Sequence, residues 1–299
     1  MNVLLTGSSG LIGSALRKRL EEARHRVVRL VRSRDQVGEN ALFWDPQSDE
    51  LDERALLDCD AVVHLAGESI AGRWTDHKKR RIRDSRVRST RLLSDAIAGA
   101  GRRPSVFVCA SAVGIYGNRG DQQLTEDSLL DGGFLAGVAA EWEASTEPAA
   151  RAGVRVVNLR SGDVLSDDGG ALASLLPPFR LGLGGPLGGG RHYMSWISIV
   201  DEVRAIEHAL VTEELSGPVN LVAPNPVTNR EFAKTLGRVL RRPAVLPTPL
   251  FPLRLAFGSE FVREVLLASN RAIPSRLRAT AFDFQHEDLE TALRSVLSH

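Results

Sequence analysis

The stretch Asn2-Val3-Leu4-Leu5-Thr6-Gly7-Ser8-Ser9-Gly10-Leu11-Ile12-Gly13 constrains everything after it: an apolar run, a glycine-punctuated turn, then the start of a helical pattern. Val3 to Leu5 reads as a buried strand. Leu11, Ile12, Ala15, Leu16 and Leu20 recur at helical spacing, so the glycines fall where a strand hands over to a helix. Free backbone N–H groups and the positive end of the helix dipole favour an anion at such a place. Gly7, Gly10 and Gly13 would permit the tight turn, the close approach of a pyrophosphate and close helix–sheet packing. Gly7, Ser8, Ser9, Gly10, Leu11, Ile12 and Gly13 are thus the expected phosphate cradle of a dinucleotide, with ordinary turn glycines as the alternative.

Arg26 to Arg32 forms a second strand and completes a strand–helix–strand unit. About 20 residues beyond the turn, where a carboxylate would bind the ribose 2′-hydroxyl of NAD, the chain has Arg32-Ser33-Arg34. Arg32 and Arg34 would instead pair with a 2′-phosphate, which points to NADP(H); exposed loop charges are the plainer reading. Leu42 to Pro46 reads as a third strand and Ala61 to Gly67 as a fourth, which would place Leu65, Ala66, Gly67 and Glu68 beside the cofactor. Glu68 could bond a ribose hydroxyl or begin the next helix.

Ser105 to Ala110 is a fifth strand, a helix around Gly133 to Arg151 follows, and Val154 to Leu159 is a sixth strand ending at Arg160-Ser161-Gly162-Asp163. This alternation is that of an α/β, Rossmann-like, doubly wound parallel sheet. From Asp167 the character changes: glycines and prolines crowd Pro177 to Gly190, Trp196 to Leu210 reads as a helix after a short extended piece, and Val219 to Val222 could rejoin the sheet. Thr228-Asn229-Arg230-Glu231 is a capping box for a helix through Leu240, and breaker-rich Pro243 to Pro252 leads to a last helical region, Leu253 to Leu297. The expected division is a cofactor domain of residues 1–166 with 197–222 and a smaller, C-terminal substrate-side domain of residues 167–196 with 223–299.

A net charge of +1 argues against bulk attraction to nucleic acid, and no apolar run is long enough to span a bilayer, so neither partner is expected. The basic run Lys78 to Arg91 reads as a solvated helix face, because Ile82, Val87, Leu92 and Leu93 give it an apolar side; an anion-facing role for one or two of its arginines is the sharper reading. Cys59 and Cys109 show no metal-like spacing and read as reduced core residues. The seven histidines are scattered, so no metal site is expected. With the opening strand at the first residues, a cytoplasmic location is the default expectation.

Hydride transfer at a nicotinamide usually needs a proton donor or acceptor near the substrate oxygen. Ser111 and Tyr116 follow strand five and meet the sheet's carboxyl edge, which makes them the catalytic candidates; turn packing for Tyr116 and a backbone bond for Ser111 are the alternatives. Tyrosine, with an ordinary pKa near 10, would need a nearby cation to act as a base near neutrality, and no lysine lies downstream until Lys234. His192, Met194 and Trp196, in the run Arg191 to Trp196 after the glycine-rich loop, read as a substrate-contacting lip or a packed connection.

These residues together resemble a known family. Thr6 to Gly13, His64-Leu65-Ala66-Gly67-Glu68, Ser111 to Gly117 and Leu159-Arg160-Ser161-Gly162 resemble the extended short-chain dehydrogenase/reductases. Pro178-Phe179-Arg180-Leu181-Gly182-Leu183-Gly184-Gly185-Pro186, Met194-Ser195-Trp196-Ile197 and Ala223 to Asn229 look like the atypical branch called the epimerase family, grouped with nucleoside-diphosphate-sugar epimerases and carrying its own C-terminal domain of unknown function. The resemblance implies a small-molecule substrate such as a sugar nucleotide, and adds Arg180 to His192, Met194 and Trp196 on the substrate side. In the wider superfamily the catalytic set is a serine or threonine plus Tyr-x-x-x-Lys. Here Gly132-Gly133-Phe134-Leu135-Ala136-Gly137-Val138 stands in that place, with neither tyrosine nor lysine, and Ser111 is one residue farther from Tyr116 than in typical sugar epimerases.

Two functions are therefore expected as alternatives: an NADP(H)-dependent reductase or epimerase with nonstandard catalytic residues, or an inactive protein that senses NADP(H) or mediates an interaction. In fluorescence titration NADPH should bind more tightly than NADH, and Arg32→Glu should erase the difference; equal affinities in the unaltered protein would remove the 2′-phosphate assignment.

Overall fold

The computed structural model describes residues 1–298. The first half of the chain alternates: β1 (Asn2–Thr6), α1 (Leu11–Glu22), β2 (Arg26–Val31), β3 (Ala41–Asp45), β4 (Glu50–Leu51), β5 (Ala61–His64), α2 (Asp76–Gly99), β6 (Val106–Ala112), β7 (Gln123–Leu124), α3 (Phe134–Ala144), α4 (Glu147–Arg151) and β8 (Arg155–Ser161). The second half contains β9 (Asp163–Leu165), α5 (Gly170–Arg180), β10 (Tyr193–Met194), β11 (Trp196–Ser198), α6 (Ile199–Val211), β12 (Gly217–Leu221), β13 (Val227–Thr228) and α7 (Asn229–Leu240). It closes with α8 (Leu250–Phe257), α9 (Ser259–Phe261), β14 (Arg271–Ala272), α10 (Ser275–Ala279) and α11 (Leu289–Val296).

Eight strands form one sheet in the order β12-β8-β6-β5-β1-β2-β3-β4, parallel except at β4. The strand order reverses between β1 and β5, where Thr6 lies beside His64, so the carboxyl ends of these two strands open the crevice that holds ligands in such sheets. Successive residues of β1 serve opposite layers. Val3 and Leu5 pack with Leu16 and Leu20 of α1 and Ile206 of α6, while Leu4 packs with Leu93 and Ile97 of α2 and Trp142 of α3. A separate core joins Leu172 and Phe179 of α5, Phe232 and Leu236 of α7, and Leu293 of α11.

Several boundaries differ from the sequence reading. The helix expected over Gly133 to Arg151 breaks in two: Ser145 Oγ and Thr146 Oγ1 donate to the carbonyls of Glu141 and Glu143, both at 2.7 Å, and Pro148 has no N–H to continue the ladder. Conversely, α5 runs through Pro177 and Pro178, whose exposed side lets the carbonyls they leave unpaired meet water. Trp196 belongs to β11, paired with Asp163 of β9, and α6 starts later at a Ser198 cap whose Oγ accepts the Asp201 N–H at 3.1 Å. The last region is short helices interrupted by β14, which pairs in parallel with β7. The capping box at Thr228 and Glu231 is present in both directions.

The crevice floor is fixed by a buried hydroxyl. Thr6 Oγ1 accepts the N–H groups of Leu65 and Ala66 at 3.1 and 3.2 Å and lies 2.6 Å from His64 Nδ1. His64 Nε2 is 3.0 Å from Ser89 Oγ, which donates to the Ser85 carbonyl at 2.6 Å. The network is consistent when Thr6 donates to Nδ1 and Nε2 carries the ring proton. Burial, then the charge of Arg86, depresses the His64 pKa to about 3. The unfolded chain protonates His64 below the ordinary imidazole pKa of 6.5 and the folded chain does not, so this residue's contribution to stability is complete above pH 6.5 and is lost as pH falls toward about 3. Urea midpoints measured against pH should therefore fall more steeply on the acid side for the unaltered protein than for His64→Gln; parallel profiles would refute a buried neutral imidazole.

Candidate functional site

The glycine turn has the geometry of an anion cradle. Gly7 has a φ of +69°, and a Cβ there would come within 2.7 Å of the Leu65 carbonyl. A Cβ on Gly13 would lie 2.1 Å from the Gly7 oxygen, so helix and turn touch through backbone. Gly10 caps α1 with no side-chain bond, the first turn holds no acid, and the first internal bond runs from Ser14 N to Gly10 O at 2.8 Å. The N–H groups of Leu11, Ile12 and Gly13 thus remain free donors at the positive end of a 12-residue helix. Ser8 is half-buried and Ser9 exposed beside them. This fits a pyrophosphate.

The two arginines beyond β2 differ. Arg34 lies 3.9 Å over the Phe43 ring and pairs with Glu50 at 2.7 Å. Arg32 is exposed and forms no ion pair among the described residues; its charge contributes, after the Ser48 hydroxyl and the Gln47 N–H, to holding the Asp45 carboxyl below its usual range. Past β5, the Leu65 and Ala66 N–H groups are bound to Thr6, and a Cβ on Gly67 would lie 3.4 Å from the Arg86 guanidinium. Glu68 does not begin a helix: its carboxylate pairs with Lys78 at 2.8 Å and Arg81 at 3.0 Å, which lowers its pKa, the Lys78 bond most. Other members of the basic run also meet acids: Lys79 pairs with Glu260, Arg83 with Glu141 and Arg91 with Asp95, as a solvated face would.

At the other side of the carboxyl edge the side chains are already engaged. Ser111 Oγ donates to Glu143 Oε1 at 2.7 Å, and Glu143 also takes Arg160 in a two-pronged contact at 2.8 and 2.9 Å. Arg160 Nη1 donates to the Tyr116 hydroxyl at 2.9 Å, and that hydroxyl donates to Asn220 Oδ1 at 2.7 Å. Tyr116 has no exposed surface, and burial raises its pKa even though Arg160 pulls the other way. Ser111 and Tyr116 are thus brought into one network, but Tyr116 sits in the core, where its hydroxyl has no path to a substrate; turn packing is the reading its geometry supports. Burial opposes the Arg160 charge, yet Glu143 outweighs it and keeps the guanidinium protonated.

The place expected for Tyr-x-x-x-Lys is filled differently. Glu264 Oε2 accepts the Leu135 N–H at 3.1 Å at the start of α3. Trp74 packs edge-on against Phe134 and Phe261 with centroids 5.2 and 5.5 Å apart. On the substrate side, Arg180 is exposed at the end of α5, His192 is half-buried with its pKa lowered by burial, and Met194 Sδ accepts Asn229 Nδ2 at 3.3 Å. Trp196 is corrected from a lip to a core residue: it has no exposed surface, and its Nε1 donates to the Asn225 carbonyl at 3.0 Å.

Three carboxylates were not singled out by sequence. Glu143 lies on α3 at i+7 and i+4 from the buried Ala136 and Ala139, a spacing that places it on the sheet-facing side. Glu202 is buried with one oxygen accepting Ser161 Oγ at 2.7 Å and the other unpartnered, and burial pushes its pKa to about 8. Asp163, just past β8, has neither hydrogen bond nor ion pair to its carboxyl, and surrounding protein raises its pKa to about 6 while solvent still touches the residue. The polar run Arg160-Ser161-Gly162-Asp163 is the sequence signal that could have pointed to it.

A glycine turn at the reversal point of a parallel sheet defines a Rossmann-type dinucleotide-binding protein. Residues 3–221 match the model of the NAD dependent epimerase/dehydratase family, and residues 248–296 match a domain of unknown function, DUF1731. The chain belongs to that epimerase/dehydratase family. It is 49% identical over 292 residues to the epimerase family protein MT2273 of Mycobacterium tuberculosis, covering 97% of this chain and 96% of the other. The crystal structure of human epimerase family protein SDR39U1 with NADPH superposes with a TM-score of 0.91 at 35% identity, covering 100% of both chains. A UDP-glucose 4-epimerase from Thermotoga maritima, solved with UDP-glucose, shares the fold at a TM-score of 0.77 and 19% identity.

Tyr116→Phe removes a bond each from Arg160 and Asn220 and should lower stability by about 1–3 kcal/mol, read as a fall in melting temperature, with NADPH affinity unchanged. A changed affinity with unchanged stability would return Tyr116 to the ligand site.

Proposed function

We propose that this chain binds NADP(H) and acts on a small carbonyl or sugar-nucleotide substrate as a reductase or epimerase with nonstandard proton-transfer residues. The observation that carries the reading is the set of free N–H donors at Leu11, Ile12 and Gly13 under a turn that only glycine can make at Gly7, followed by the unpaired Arg32. The NADPH in the human relative supports the choice of cofactor. Residues 1–166 with 197–222 would hold the cofactor and residues 167–196 with 223–299 the substrate side.

Arg32 is assigned to the 2′-phosphate and the α1 donors to the pyrophosphate. When bound, NADP(H) supplies hydride at the nicotinamide ring. The chain must then hold a proton near the substrate oxygen. Tyr116 is sealed in the core and the Ser111 hydroxyl is spent on Glu143, so we assign the proton to Asp163, whose carboxyl is raised by burial to about 6, has no bonded partner among the described residues and lies past the carboxyl end of β8. Ser111 would orient the substrate through its remaining lone pair.

The second reading, an NADP(H) sensor without turnover, is favoured by the closed network around Ser111 and Tyr116 and by the Glu264 cap on α3. Incubation of small carbonyls with deuterated NADPH, and of a panel of sugar nucleotides with NADP+, separates the two, with product analysis because epimerisation takes a hydride to NADP+ and returns it, so the cofactor shows no net change. Deuterium transfer, or epimer formation, that falls at least about tenfold in Asp163→Asn supports the first. NADPH binding without any product across the panel supports the sensor, and turnover unchanged in Asp163→Asn removes that residue from the mechanism.

A further inference from the structure

One surface remote from the glycine turn is both apolar and cationic. Residues 182–188 run alongside residues 243–250: Thr248 N donates to the Pro186 carbonyl at 2.8 Å, Leu187 and Thr248 form a bridge, and a Cβ on Gly182 would lie 3.4 Å from Pro243. Leu181, Leu183, Val245, Leu246, Phe251 and Leu255 project from these segments and from α8, each between 65% and 79% exposed. Helix α8, Leu-Phe-Pro-Leu-Arg-Leu-Ala-Phe, buries no residue at all. Isolated exposed leucines are ordinary, but a contiguous group of this kind marks a contact surface.

Its charge says what kind of contact. Residues 180–192 and 241–258 contain five arginines and no aspartate or glutamate. Arg180, Arg191, Arg241, Arg242 and Arg254 are exposed, and among the described residues none of them forms an ion pair. The basic face of α2 differs, since Lys78, Lys79, Arg81 and Arg83 meet acids of neighbouring elements. A two-fold contact with a second copy would set these arginines against their own kind, so the face asks for an anionic partner. Apolar side chains that project beside unpaired cations suit a layered partner, negative at its surface and apolar just beneath.

We infer that this face docks on an anionic lipid bilayer, with Leu246, Phe251 and Leu255 entering the interfacial layer and Arg241, Arg242 and Arg254 meeting the headgroups. Such peripheral contact needs no spanning helix, and among the described residues no helix is long and apolar enough to cross a membrane. The expectation of no membrane partner rests on the lack of an apolar run long enough to span a bilayer, which does not bear on peripheral contact, and a net charge of +1 conceals this local excess.

The full chain with NADPH present should co-sediment with vesicles of phosphatidylcholine and phosphatidylserine, remain in solution with phosphatidylcholine alone, and dissociate as salt is raised. Arg241→Gln together with Arg242→Gln should weaken partitioning about 25-fold, at about 1 kcal/mol per arginine. Phe251→Ser with Leu255→Ser should abolish it while circular dichroism and NADPH affinity stay as they were, since neither residue is buried. Absence of binding to the phosphatidylserine vesicles, equal binding to both lipids, or indifference to the arginine pair overturns the inference. A lipid-free dimer lost in Phe251→Ser assigns the face to a second copy, and retention by polyglutamate but not by vesicles assigns it to an acidic protein; either result overturns it as well.

Discussion

The contact between Glu143 and Arg160 ties the carboxyl edge of β6 and β8 to α3. Its side chains are 13% and 5% exposed, so both charges have given up most of their water. Such a pair is tolerable only when the geometry is forked and the remaining polar atoms find partners. Arg160 meets that condition through the Tyr116 hydroxyl and the Glu126 carbonyl, and Glu143 through Ser111. Strands β6, β8 and β12 and helix α3 therefore share one polar knot, and loss of either charge would strand the other in a poorly solvated place.

The two sides of the same edge are built on opposite terms. At the α1 end, donors are left without acceptors and Arg32 without a partner, an arrangement that costs stability in the free protein and is relieved by an anion. At the α3 end, Ser111, Tyr116, Glu143 and Arg160 are already bonded to one another or to Asn220, while Glu126, Trp142 and Glu202 each keep one buried atom without a partner among the described residues. A dinucleotide thus meets a prepared surface in its phosphate half, while in the other half burial raises the Asp163 carboxyl above its usual range.

The cofactor half was legible because its signals are local: a strand of four buried positions, glycines at fixed offsets and a helical repeat within the first 20 residues or so. The rest depends on distant partners. Nothing near Trp196 shows that β11 will lie beside β9 and turn the indole inward, and nothing near Tyr116 shows that Asn220, 104 residues away, will accept its hydrogen bond. Pro177 and Pro178 read as breakers, yet α5 persists because Leu172, Leu176 and Phe179 pack on α7 and α11, and tertiary burial outweighs the missing backbone bonds. The absence of tyrosine and lysine before Glu141 was legible; that Glu264 would cap the vacated helix start was not.

The pairing of β14 with β7 bears on how the chain reaches its native state. Arg271 and Ala272 must find Gln123 and Leu124 across nearly 150 residues of intervening chain, and the Ile273 carbonyl then receives Asn220 Nδ2 at 3.0 Å. Closing a loop of that size costs entropy before any contact rewards it, so the core around Tyr116 is among the late parts to consolidate. A nascent chain that has already exposed its glycine turn and first strands still lacks the segment that seals Tyr116. Synthesis must nearly finish before the core around Tyr116 can set, and during that interval the unsealed edge is the part most dependent on protection from aggregation.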